Sequence, residues 1–227
     1  MALASFLFIF TMLVSCWITR RCFRRPNPPP TSQHSKDYLL AINIAPNARE
    51  FIFLVLQMAH IALTIQDRIS PSLLCPKPAN LNAQYFAWTP YTCIALLVIL
   101  TAGPFRISAF RHLGTDFTFE LAKPKRLVTS GIYRYVQHPS YVGDYLVTMA
   151  NFALFANPDG WIGCFLPDWI VEMCGTLKSP AWIALNMIYV VAMGTRVLQE
   201  EKMLHDTFGR AWESWHKKTA RFIPGII

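Results

Sequence analysis

Apolar residues in this chain come in blocks too long for single strands, set apart by polar, proline-rich or charged stretches. Residues 2–18 form the first block, closed at once by RRCFRR. The region 38–65 is mostly apolar but interrupted at Asn43, Pro46, Asn47, Arg49 and Glu50. Its uninterrupted part, 51–65, is the expected span, with 38–45 at the interface or as a broken half-helix. Residues 85–102, 140–156 and 180–197 supply three further blocks. Most come close to the roughly 20 residues that a helix needs to cross a bilayer; the first is marginal. Residues 161–171 are too few to cross, are broken at Pro167, and are expected to be re-entrant or interfacial. The pattern predicts an all-α fold, a polytopic membrane helical bundle of about five transmembrane helices plus short interfacial or re-entrant helices.

Composition strengthens this picture. The chain is 53% hydrophobic and 15% charged, against roughly 25% charged in soluble proteins. Its formal net charge of +8 invites a nucleic-acid reading, so the positions of the charges matter. Lys and Arg number five in residues 20–36, six in 104–136 and six from Arg196 onward, but two in 67–84 and one in 157–179. This alternation is the positive-inside pattern, and it assigns the rich segments to the cytosol. The charge then serves topology and anionic headgroups. With no nucleic-acid motif beside it, nucleic acid is set aside as a partner. The apolar block 2–18 carries its positive charge after the core, whereas a secretory signal carries it before, so it reads as a helix that starts outside the cytosol. Among the six cysteines no CxxC or zinc spacing occurs. Cys16 and Cys93 are expected to pack inside apolar blocks. Cys75, Cys164 and Cys174 fall in non-cytosolic segments, where a disulfide is possible but not demanded.

Polar residues cluster in two places. LVTSGIYRYVQHPSYVG, residues 127–143, joins a basic loop to a membrane helix, and RVLQEE, residues 196–201, follows the last apolar block. Polar groups at the edge of an apolar protein are expensive and usually functional. His138 opens a helix whose N-terminus suits an anionic group, and the small Gly143 would let a ligand approach the backbone. A His-Pro pair punctuating a helix start is the plainer explanation, as an interfacial belt is for Arg134 and Tyr135. Arg196 and Glu200 share a helix face, either as an ion pair worth a few tenths of a kcal/mol or as a substrate-binding pair. Glu201 and His205 lie on an adjacent face that is expected to be solvated. HExxH, GxSxG, the P-loop and the dinucleotide fingerprint are all absent, so hydrolase and Rossmann chemistry have no support.

Taken together, LGTDF, LVTSGIYRYVQHPSYVG and RVLQEEKMLHDTFGRAWESWHKKTARFIPGI resemble the isoprenylcysteine carboxyl methyltransferases, in the same order and from about Arg111 to the C-terminus. The resemblance implies N-terminal helices and loops over 1–103 and a catalytic region over 104–227. It implies an endoplasmic reticulum enzyme with its active site facing the cytosol, taking S-adenosylmethionine from the cytosol and a prenylated cysteine from the lipid. Carried over residue by residue, the donor pocket would comprise Lys125, Arg126, Leu127, Val128, Tyr133, His138, Pro139, Ser140, Tyr141 and Glu200, and Arg196 would hold the substrate carboxylate. Partners would be the bilayer and CaaX-type prenylated proteins after proteolytic trimming. The family usually has arginine just before the HPSY histidine; here it is Gln137.

The chemistry fits these residue types. An α-carboxyl titrates near pKa ~3.5, so the carboxylate nucleophile is already ionised and needs neither a general base nor a metal. Three alternatives stay open. A phospholipid N-methyltransferase would share the donor pocket but leave Arg196 without a carboxylate. A sterol-reductase-like protein shares HPSYVGD but is longer and uses NADPH. A non-catalytic adaptor that kept the fold has only Gln137 in its favour.

Overall fold

In hydrocarbon every backbone amide must bond within its own segment, so the apolar blocks fold as helices. The computed structural model describes residues 2–28, 46–66 and 72–224. Its helices are α1 (Ala2–Phe23), α2 (Pro46–Ile65), α3 (Pro90–Leu113), α4 (Pro139–Phe155), α5 (Asp168–Phe208) and the short α6 (Arg210–His216). Four of them, α1, α2, α3 and α5, are long and apolar enough to cross a membrane. The fourth helix in the chain, α4, has 17 residues and packs among them. The stretch 38–45, expected at the interface, lies outside the described residues.

Two helices run through a proline and extend well past their expected ends. The span expected at 85–102 starts at Pro90, where Thr89 and Thr92 form a capping box, and continues past Pro104 to Leu113. The loop expected from Pro104 therefore begins one helical stretch later. Residues 161–171 do not form one separate piece: Trp161–Phe165 is a short 3-10 helix, and from Asp168 the chain is already in α5. That helix passes Pro180 and absorbs the start of the tail, reaching 41 residues. Proline frees the carbonyl four residues back and crowds it. Ending the helix inside the apolar layer would strand more backbone groups than the one that proline frees. α1 also gains a turn beyond residue 18, ending on Arg20 and Arg21, cations suited to a helix C-terminus.

Helices α1 and α2 run antiparallel, with Arg20 near the end of α1 meeting Glu50 near the start of α2 at 2.9 Å. Helices α1 and α3 run parallel: Trp88 Nε1, just before α3, donates to the Ala4 carbonyl at the start of α1, and Arg106 of α3 reaches the Cys22 carbonyl at the end of α1. Between α1, α2 and α4, buried Thr19, Gln57 and Asn151 form a hydrogen-bonded knot in which Gln57 Nε2 donates to Asn151 Oδ1 at 2.9 Å. Such bonds hold helices together where lipid offers no hydrophobic drive between them. The end of the bundle away from the HPSY segment is tied by a disulfide between Cys75 and Cys164. There Asn80 Nδ2 also donates to the carbonyls of Gly163 and Leu166, both at 3.1 Å. Cys93, expected to pack inside, is exposed on the outer face of α3, while Cys16 is buried.

Gly143 does not open the backbone to a ligand. It lets α4 settle on α3, where an added Cβ would lie 2.6 Å from Arg106 Cβ and 3.1 Å from the Ala102 carbonyl oxygen. Gly143→Ala should therefore force the two helices apart and cost about 1–3 kcal/mol as overpacking does. Thermal unfolding in detergent would check this, and an unchanged midpoint would contradict the close packing.

Candidate active site

At the HPSY end, α2, α3, α4, α5 and the loop 114–128 surround a cavity of about 500 Å³. The loop forms its roof. Arg25 pairs with Glu120 at 2.6 Å, and Asn27 Nδ2 donates to the carbonyls of Gly114 and Phe117. The Lys125 amide and the Arg126 side chain both close onto Asp116. Ile52 of α2 and Ile188 of α5 line the cavity and are 43% and 64% exposed. The cavity thus opens between α2 and α5 toward the membrane-facing side.

Three polar clusters stand on its walls. In the first, the Tyr141 hydroxyl donates to Glu200 Oε2 at 2.6 Å and receives Arg196 Nε at 3.4 Å. Arg196 Nη2 also donates to the Phe119 carbonyl of the roof at 2.8 Å. One helical turn separates Arg196 from Glu200, so a tyrosine from α4 can stand between them.

The second cluster was not anticipated from sequence. Buried Asp144 pairs with Arg106 at 3.0 Å and with Arg49 at 3.2 Å, and accepts the Tyr189 hydroxyl. Arg106 reaches further, donating to the Ser140 carbonyl at 2.6 Å and the Cys22 carbonyl at 3.1 Å. Its guanidinium also lies 4.8 Å from the Phe110 ring. The sequence did hold a signal. An aspartate one turn into an apolar helix demands a cationic partner, and Arg49 was an unexplained charge in another.

Glu201 heads the third cluster and corrects an expectation. It is buried rather than solvated, held by Arg221 Nε at 2.9 Å and Nη2 at 3.1 Å, with His138 Nε2 at 3.4 Å. A buried carboxylate needs such partners.

Most residues expected in the pocket meet there. Arg126, Leu127, Val128, Tyr133, His138, Ser140, Tyr141, Arg196 and Glu200 line the cavity. Lys125 is exposed and Pro139 is buried in the first turn of α4, and neither is on the cavity wall. Burial, reinforced by the charge of Glu200, pushes the Tyr133 phenol up from its usual range, so it stays a neutral hydroxyl, pointed at the Ala109 carbonyl. The α4 N-terminus is less open to an anion than expected, because the His138 amide donates to the Arg221 carbonyl at 3.0 Å.

Gln137 also finds its reason here. Its Nε2 donates to the Thr219 carbonyl at 2.8 Å and to Thr219 Oγ1 at 2.9 Å, and its Oε1 meets His216 Nδ1 at 2.8 Å. Burial lowers the His216 pKa from its usual value, favouring the neutral ring that donates to this amide. Gln137 fastens the tail through neutral hydrogen bonds and places no charge of its own on the cavity.

Residues 93–173 match the family model described as "Isoprenylcysteine carboxyl methyltransferase (ICMT) family". The chain is 32% identical over 170 residues to the protein-S-isoprenylcysteine O-methyltransferase of Xenopus laevis, covering 73% of this chain and 48% of that protein. With the protein of the same name from Dictyostelium discoideum it is 28% identical over 125 residues, 53% of this chain and 44% of the relative. For Schizosaccharomyces pombe the figures are 27% over 145 residues, 62% and 52%. The chain thus spans about half the length of the curated relatives it matches. A solved structure of a eukaryotic intramembrane Ras methyltransferase, ICMT, aligns with TM-score 0.45 and 19% identity, over 83% of this chain and 71% of that one. The family match falls on residues 93–173, the segment that carries most of α3, the roof loop and α4, and there the chain is similar to the isoprenylcysteine carboxyl methyltransferases.

Proposed function

We propose that the chain is an S-adenosylmethionine-dependent methyltransferase that esterifies the C-terminal carboxylate of prenylated cysteine. One observation carries this reading: a single cavity joins an ionic end beneath the roof loop to an apolar body that opens between α2 and α5. A prenylated peptide has the same division, with a carboxylate at one end and a hydrocarbon chain that contributes about 0.8 kcal/mol per buried CH₂.

The cavity suits the donor as well. Glu200 offers a carboxylate to cationic or hydroxyl groups, and Tyr133 and Trp215 offer aromatic surface beside it. When bound, the donor supplies an electrophilic methyl group on a sulfonium centre; everything else falls to the protein. Arg196 holds the acceptor carboxylate through charge-assisted hydrogen bonds. Tyr141 keeps Arg196 and Glu200 in register, so that acceptor and donor meet at a fixed separation. Alignment of this kind is worth several kcal/mol of barrier. The roof loop, which bears Arg126, Leu127 and Val128, excludes water. Two guanidiniums, Arg49 and Arg106, share one carboxylate, Asp144, and this excess of positive charge favours an anionic acceptor over an amine.

In this reading the catalytic region is 104–227, the site faces the cytosol and the membrane is that of the endoplasmic reticulum. The disulfide at the opposite end agrees, since disulfides persist in an oxidising lumen. Substrates are prenylated CaaX-type proteins after proteolytic trimming.

The test uses membranes containing the chain, labelled donor and a farnesylated cysteine analogue. Label released as methanol by mild base, and dependent on the analogue, is the expected result. Base-stable label, or label found in lipid, would overturn the carboxyl assignment.

A further inference from the structure

The HPSY histidine is held from two directions by one residue of the C-terminal tail. After α6 the chain doubles back and lies parallel to the segment before α4, with Val136 bridged to Ala220. The Gln137 amide donates to the Ala220 carbonyl at 2.9 Å, and the Ala220 amide donates to the Tyr135 carbonyl at 3.1 Å. In the same ladder the His138 amide donates to the Arg221 carbonyl at 3.0 Å. The Arg221 side chain then crosses to α5 and grips Glu201 with two nitrogens, at 2.9 and 3.1 Å. Glu201 in turn faces His138 Nε2 at 3.4 Å. Backbone and side chain of residue 221 thereby close a ring around His138, which is 3% exposed and forms part of the cavity wall. The Phe222 ring, 6.0 Å from the imidazole, packs alongside.

This arrangement has a chemical consequence. A carboxylate facing one ring nitrogen fixes which nitrogen carries the proton and how the ring is turned. With Nε2–H directed at Glu201, a neutral His138 keeps Nδ1 as its acceptor. The carboxylate can do this only while it is ionised and immobile, and a bidentate guanidinium supplies both conditions. Gln137, the chain neighbour of His138, does not supply that charge, because it is neutral and bonded to the tail.

We propose that Arg221 is a positioning residue of the donor pocket, acting through Glu201 on His138, so that the pocket is complete only when the C-terminal tail is docked. This inference rests on the reading of the cavity as a methyl-donor site. Arg221 touches neither reactant; its side chain is 45% exposed, and its removal need not unfold the bundle.

Equilibrium binding of labelled S-adenosylmethionine to the purified full chain tests this without any turnover. Arg221→Ala should raise the donor Kd about tenfold, equivalent to about 1.4 kcal/mol. It should raise the donor KM in parallel and leave kcat at saturating donor within about twofold. Arg221→Lys, which keeps the charge but not the fork, should recover part of the affinity. Glu201→Gln should weaken binding to the same degree, and adding Arg221→Ala to it should cost nothing further, since the two act as a unit. Lys218→Ala, the loss of an exposed tail cation, serves as the control. A wild-type donor affinity in Arg221→Ala, or additive losses in the double variant, would overturn the positioning role alone. Failure of the wild-type chain to bind donor at all would overturn the methyl-donor site together with this inference.

Discussion

Arg196→Ala should slow methyl ester formation at least about 30-fold while leaving donor affinity within about twofold. Arg196 is buried, faces the cavity and donates to the roof carbonyl of Phe119 and to Tyr141. Truncating one partner of a buried, hydrogen-bonded charge pair costs about 2–5 kcal/mol, and each 1.36 kcal/mol is tenfold in rate. Glu200→Ala should give the opposite signature, a weaker donor and a smaller change once donor saturates. Arg196→Lys should fall between, keeping the charge without the fork, and it separates loss of charge from loosening of the roof. Methanol release from the ester and equilibrium donor binding, measured on the same membranes, read the two effects apart. Equal losses of binding and rate in Arg196→Ala would move Arg196 from the acceptor to the donor.

Asp144→Ala should be the most destabilising single change in the bundle. It leaves Arg49 and Arg106, now 3.2 and 3.0 Å from this carboxylate, facing each other in a dry interior. Removing one member of a buried ion pair costs about 3–5 kcal/mol, a large share of the 5–15 kcal/mol that holds a typical domain together. Arg49→Met in the same chain should recover part of the loss by restoring the original excess of one positive charge. Thermal unfolding of the single and double variants in detergent measures it. If the double variant is no more stable than Asp144→Ala, repulsion between the two arginines is not what the aspartate offsets. Arg106 would remain anchored by the Ser140 and Cys22 carbonyls in both variants.

The order of the apolar helices could be read from the chain because hydrocarbon leaves an apolar block of that length little else to form; of the five expected to cross, four are long and apolar enough to do so, and α4 at 17 residues is not among them. The meeting of Arg196 and Glu200 was equally legible, since four residues along a helix is a local relation. So was the clustering of His138, Ser140 and Tyr141 at the start of α4. Prolines misled the reading at Pro104 and Pro180. In soluble chains proline ends helices, but here the surrounding lipid makes continuation cheaper than a break.

Relations between distant residues could not be read this way. The pairing of Cys75 with Cys164, 89 residues apart, depends on two loops meeting at one end of the bundle. Arg49, Arg106 and Asp144 come from three helices, and each alone looked like a stray charge. Glu201 was expected in solvent because its own helix face is polar, yet Arg221, twenty residues on, returns to bury it. Gln137 looked like a lost charge until the tail was seen to consume its amide. The apolar helices, the sign of the charge at each end and the residue types of the site were legible along the chain, because these follow from local periodicity and composition. Which charges neutralise one another and which face the cavity emerged from the folded arrangement, because burial and Coulomb energy depend on distance in space and not along the chain.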